Sequence, residues 1–100
     1  MVRWSWRARA DLKAIHDYIA KDAPLNAKSV VQTILHKADS MAELPYLGRK
    51  VPEINDENLR EVFAHSWRIF YQVRGREVFI VTLIHKRRQV TADQIESPTS

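Results

Sequence analysis

The stretch WRIFYQVRGREVFIVTLI, Trp67 to Ile84, decides the fold. Trp67, Ile69, Tyr71 and Val73 alternate with Arg68, Phe70 and Gln72, the two-residue period of a strand that shows different chemistry on its two faces. Arg74-Gly75 breaks the alternation with a residue free to take positive φ, and Glu77 to Ile84 returns as a second strand. In this return strand Phe79, Val81 and Leu83 oppose Val78, Ile80 and Ile84, so both faces are apolar. Such a strand belongs inside a sheet, and at least one of its faces needs helices to cover it.

Working upstream, Leu59-Arg60-Glu61-Val62-Phe63 reads as a third strand behind the polar loop Asn55-Asp56-Glu57-Asn58. The period changes before Gly48. Ala27, Val30, Val31, Ile34, Ala38 and Met41 fall on one helical face, opened by Pro24 and closed by Leu44-Pro45-Tyr46-Leu47-Gly48. Ala8, Leu12, Ile15 and Ile19 recur at helical spacing before Pro24, and Val2 to Trp6 is short, aromatic and β-branched, fit for a first strand. The expected architecture is α+β in the order β-α-α-β-β-β, with an N-terminal helical hairpin packed on one face of a mostly antiparallel four-stranded sheet.

The chain has 100 residues, 45% of them apolar, enough for one core. Its net charge of +4 is unevenly placed: residues 60–88 carry seven Lys/Arg against Glu61 and Glu77. A basic face on a small sheet suits nucleic acid or an acidic protein segment. Cysteine is absent, which removes disulfides, thiolate nucleophiles and cysteine zinc sites. No apolar run approaches the roughly 20 residues of a membrane span. A soluble cytoplasmic protein with no membrane contact is the expectation. His16, His36 and His65 form no pair with metal-ligand spacing, and no metal site is expected.

Several blocks recur together in a known order: Asp11-Leu12 and Tyr18-Ile19-Ala20 on the first helix, Gly48-Arg49 before Val51-Pro52-Glu53, Arg60-Glu61, Trp67-Arg68-Ile69-Phe70-Tyr71, and His85-Lys86-Arg87-Arg88. As an ordered set, over about residues 2 to 88, they closely resemble the RelE/ParE superfamily of bacterial toxins. The resemblance implies one toxin domain over 1–88, with 89–100 as a flexible tail. It also implies a type II toxin–antitoxin toxin, neutralised by an acidic ParD/RelB-like antitoxin and meeting operator DNA only indirectly through that antitoxin. No cofactor is implied.

The superfamily divides by target. ParE-like members poison DNA gyrase, and the Gly48-Arg49 block with Val51-Pro52-Glu53 resembles that branch; RelE-like members cut messenger RNA on the ribosome. For the second chemistry the resemblance assigns Glu53, Arg68 and His85 to catalysis, since attack by a ribose 2′-hydroxyl needs a base, a cation for the phosphorane charge and an acid for the leaving oxygen. Lys86 stands where some members of that branch have a Tyr, which tilts the expectation toward gyrase. Target contacts are expected from Arg49, Arg60, Arg68, His85, Lys86, Arg87 and Arg88, and antitoxin contacts from Leu25, Val31, Leu35, Arg60 and Arg68. A third role is that of a non-toxic member acting only in an autorepressor complex. Arg49, Arg60 and Arg68 have a plainer reading beside these, as cross-strand partners of Glu53, Glu61 and Glu77.

Overall fold

The computed structural model describes residues 2–90. They form β1 (Val2–Trp4), α1 (Trp6–Ala20), α2 (Pro24–Ser40), β2 (Arg49–Lys50), β3 (Leu59–Ala64), β4 (Trp67–Arg74) and β5 (Glu77–His85). The strands make one sheet in the order β1-β5-β4-β3-β2, with β1 parallel to β5 and the other pairs antiparallel. The sheet therefore has five strands, not the four expected from the pattern. The added strand, β2, is two residues long, too short to leave a period, and it exists through the pairing of Arg49 with Glu61 and Lys50 with Arg60.

The decisive hairpin forms as its sequence indicates. Arg74 pairs with Glu77 across the turn, and Gly75 has φ +59°, where any side chain would be strained. β5 lies between β1 and β4, and every residue from Val78 to Ile84 is buried. The register shifts once: Phe70 faces Thr82 but Tyr71 faces Ile80, so Val81 is an extra residue on β5.

β1 ends at Trp4, earlier than expected, because Ser5 caps α1. The Ser5 Oγ accepts the Ala8 N–H at 3.0 Å and donates to the Val81 carbonyl at 2.7 Å. Past Ile80, β5 has lost its β1 neighbour, and its buried backbone groups need other partners. Ser5 N–H serves the Ile80 carbonyl, and the Asp11 carboxylate on α1 accepts from the Leu83 N–H at 3.0 Å and the Thr82 hydroxyl at 2.6 Å. Polar bonds thus fix α1 on the strand whose bulge they satisfy.

The main core lies between the hairpin of helices and one sheet face. Ala8 and Ile15 of α1 and Ala27, Val30, Ile34 and Ala38 of α2 are buried, with Met41 just beyond. All of these except Ala27 pack in one cluster with Val62, Ile69, Tyr71, Val73, Val78, Ile80 and Leu83. The other face carries a smaller core of Val51, Leu59, Phe70, Ile84 and Val90, with Ile54 against it. Segments 51–54 and 86–90 close that face. Val90 is 4% exposed, so the packed chain runs past residue 88, and the rest of the expected tail, 91–100, lies outside the described residues. No helix among the described residues is long and apolar enough to cross a membrane.

Candidate functional site

Strand alternation puts Leu59, Glu61 and Phe63 of β3 on the face away from the helices, beside Arg68 and Phe70 of β4. The register pairs Glu61 with Phe70 and Phe63 with Arg68, which makes Glu61 and Arg68 diagonal neighbours. Both are buried, Arg68 at 4% and Glu61 at 1% exposure. The Arg68 Nε donates to Glu61 Oε1 at 2.6 Å, and its Nη1 and Nη2 each donate to a Glu53 carboxylate oxygen at 2.9 Å. Its guanidinium also lies over the Phe70 ring, 4.6 Å from the centroid. Arg49 reaches the second Glu61 oxygen through its Nε at 2.5 Å, while its guanidinium covers Phe63 at 5.5 Å.

Arg68 is therefore the centre of a four-member ionic network and not a displayed cation. Of the two readings open in the sequence, the geometry of Arg49 and Arg68 is that of partners for Glu53 and Glu61, whereas Glu77 meets Arg3 at 3.7 Å. The two-point bond from Arg68, opposed by burial and helped by the Val90 N–H, lowers the Glu53 carboxyl from 4.5 to about 2. The same bond holds the Arg68 guanidinium more firmly charged than usual. A carboxylate so acidic and so clasped is a poor proton acceptor near neutrality.

The network also orders the segment after β5. Arg68 Nη1 donates to the Arg88 carbonyl at 3.0 Å, Val90 N–H donates to Glu53 Oε2 at 3.2 Å, and Lys86 N–H reaches the Ser66 carbonyl at 2.7 Å. A cleft of about 370 Å³ results, lined by Arg49, Glu53, Phe63, Arg68, Lys86, Arg87 and Arg88 with Pro52 and Gln89. Lys86, Arg87 and Arg88 are exposed there, and none has a carboxylate partner among the described residues. The cleft thus holds five cations against one lining carboxylate, which Arg68 already occupies.

The remaining predicted positions lie elsewhere. His85 opens a second cleft, of about 310 Å³, beside Asp11, Tyr18 and Trp67; Arg88 lines both. Its Nδ1 accepts the Arg87 N–H at 3.2 Å and its ring meets Trp67 edge-on, 5.3 Å between centroids. Glu53, Arg68 and His85 are consequently not gathered in one cleft. Arg60 sits at the far end of β3, bonded to the Glu57 carbonyl, the Glu57 carboxylate and the Gly48 carbonyl, and lying over Tyr46. On α2, Leu25 is 85% exposed, Leu35 is exposed and Val31 is half-buried. No group of three or more His, Asp or Glu that could hold a metal ion occurs among the described residues.

Two features escape a reading of the sequence. Glu61 is the buried hub between two arginines, and the signal available is a carboxylate on the same strand face as Leu59 and Phe63. Leu44, Tyr46 and Leu47, which the pattern assigns to the closing turn of a helix, form an exposed apolar loop at 59%, 51% and 66%.

A helical hairpin on one face of a five-stranded sheet, with a cation-lined cleft on the other, is here the form of a small toxin of the RelE/ParE superfamily, a class shown by comparison with known families and relatives. Residues 2–90 match the family model described as the ParE toxin of the type II toxin–antitoxin system parDE, and the chain belongs to that family. It is 41% identical to Toxin RelE2 of Caulobacter vibrioides over 88 residues, covering 87% of this chain and 96% of that protein. It is 33% identical to the putative toxin Y4kP of Sinorhizobium fredii over 90 residues, covering 88% and 90%. Among solved structures, the chromosomal ParDE system of P. aeruginosa shares the fold at TM-score 0.71 and 23% identity, over 84% of this chain and 92% of that one.

Proposed function

We propose that this toxin is ParE-like in action: a cytoplasmic protein that binds and inhibits DNA gyrase without chemistry of its own, and that a cognate acidic antitoxin silences. The observation that carries the reading is the state of the acid–base set. Glu53 and Arg68 neutralise each other in a two-point ion pair, and His85 belongs to a different cleft. Cutting RNA would require those groups to be free and adjacent. Binding requires only a shaped, charged surface, and Lys86, Arg87 and Arg88 with Arg49 supply one.

In this reading the cations of 86–88 touch the target and Arg68 holds them in place. Leu25, Val31 and Leu35 receive an apolar stretch of the antitoxin, whose carboxylates cover the cleft. The test is a gyrase supercoiling assay run beside in vitro translation with the same purified toxin. Supercoiling should be inhibited while translation proceeds, and Lys86→Ala/Arg87→Ala/Arg88→Ala should lose the inhibition. The alternative, ribosome-dependent mRNA cleavage through Glu53, Arg68 and His85, is favoured by the name RelE2 carried by the 41% identical relative. Loss of mRNA cleavage in His85→Ala would replace the first reading by this one.

A further inference from the structure

The cleft beside Arg68 has a composition that does not follow from binding a protein target alone. Its free charge is a run of three consecutive cations on a short segment whose backbone is tied down at Lys86 N–H, at the Arg88 carbonyl and N–H and at Val90 N–H. Its apolar lining is slight, Pro52 and Phe63, and Phe63 has Arg49 over its ring. A peptide seated here would find charge but little to hold its apolar side chains. A single-stranded nucleic acid would find a single ring, Phe63, with Arg49 over it, and no second ring on which a successive base could stack. What the wall does match is a continuous polyanion whose bases are already paired and stacked. Duplex DNA presents about one charge per 1.7 Å of axis, denser than an acidic peptide of mixed composition.

We infer that the cleft formed by Arg49, Lys86, Arg87 and Arg88 binds the phosphodiester backbone of duplex DNA directly and without regard to sequence. Arg68 touches no phosphate; it fixes the segment that does. Sequence-specific operator recognition is a separate matter, left to the antitoxin. The inference deepens the gyrase reading, since gyrase works on duplex DNA and a toxin docked on it would reach that DNA from the same face. It is measured without gyrase, however, so the two stand or fall separately.

The experiment is fluorescence anisotropy of a labelled duplex of about 20 base pairs, two turns of the helix, titrated with the full-length toxin over a series of salt concentrations. Affinity should fall linearly with log salt at a slope of about −0.9 per phosphate engaged, and Lys86→Ala/Arg87→Ala should flatten that slope by about 1.8. The same pair should weaken binding at low salt by roughly tenfold or more. Arg74→Ala/Arg76→Ala removes equal charge at the β4–β5 turn and should change affinity less than about twofold. Equal loss in the two double variants would reduce the effect to net charge and overturn the assignment. So would displacement of the duplex by polyglutamate, an acidic chain unrelated to the antitoxin, at a lower concentration of negative charge, which would make the cleft a protein-docking site. Gyrase inhibition without DNA binding would sink the inference and leave the gyrase reading intact; DNA binding without gyrase inhibition would do the reverse.

Discussion

Replacing Arg68 by alanine should be a stability mutation before it is anything else. The side chain makes four hydrogen bonds, two to Glu53, one to Glu61 and one to the Arg88 carbonyl. Its removal leaves the Glu61 side chain, 0% exposed, with Arg49 as its remaining ionic partner, while the Glu53 side chain at 19% exposure recovers part of its hydration. Breaking a buried pair from one side costs roughly 3–5 kcal/mol, and the rehydration of Glu53 argues for the lower end, about 3 kcal/mol. For a domain of this size that is a fall in Tm of roughly 12–24 °C and a large share of a usual stability of about 5–15 kcal/mol. The assay is urea unfolding followed by circular dichroism and tryptophan fluorescence. Arg68→Met/Glu61→Leu, which removes both charges and keeps apolar volume, should be milder than Arg68→Ala alone. An Arg68→Ala protein within about 1 kcal/mol of wild type, or a double variant worse than the single, would refute this account of the network. If it holds, loss of toxicity in Arg68→Ala reports a disordered 86–90 segment and not a lost contact with the target.

Glu53 makes the same network sensitive to acid. Its carboxyl falls from 4.5 to about 2 in the folded chain, so the unfolded chain takes up the proton more readily; the stabilisation is complete above about pH 4.5 and is lost as pH drops toward 2. Glu53→Gln should remove about 2 kcal/mol of the stability change between pH 7 and pH 3, seen as a smaller shift in urea midpoint over that range. Gly48→Ala should unfold or strongly destabilise the protein, since a Cβ there would strike the Tyr71 hydroxyl and lie 2.6 Å from the Glu61 carbonyl. Tyr71→Phe leaves the buried Gly48 N–H, now bonded to that hydroxyl at 2.9 Å, without its acceptor and should cost about 1–3 kcal/mol in denaturant unfolding. Asp11→Ala should cost a similar roughly 1–3 kcal/mol by orphaning the Leu83 N–H and the Thr82 hydroxyl.

The elements with a period are legible in the sequence: the 67–84 hairpin, the stripe of α2 opened by Pro24, and the interior character of β5 all follow from spacing and turn chemistry. β2 is not, because two residues carry no alternation and their pairing depends on the close approach of Gly48 to Tyr71. Nor is the inversion of roles among the arginines. Alternation says on which face Arg68 lies, but whether that face is open depends on segments 51–54 and 86–90, which have no regular structure and return over the sheet through Val51, Ile54 and Val90. A long cation beside an apolar run looks displayed until something covers it. The carboxylates that make covering it tolerable, Glu53 and Glu61, lie 15 and 7 residues away; the β3–β4 register brings Glu61 to Arg68 and the return of segment 51–54 brings Glu53.

That inversion changes which perturbations are informative about the toxin. Deleting the chain from Lys86 onward would remove the cations under test, but also Val90 from the lower core and the Arg88 carbonyl from Arg68. Loss of activity in such a truncation would mix contact with collapse. Alanines at Lys86, Arg87 and Arg88 leave every backbone bond of the segment in place and remove charge alone, because these exposed side chains have no carboxylate partner among the described residues. Under the proposed function the buried arginine and the exposed ones then separate cleanly: the first governs where the segment sits, the others what it meets. The charges at the cleft mouth can therefore be changed without disturbing the network beneath them, because Lys86, Arg87 and Arg88 make none of its side-chain bonds.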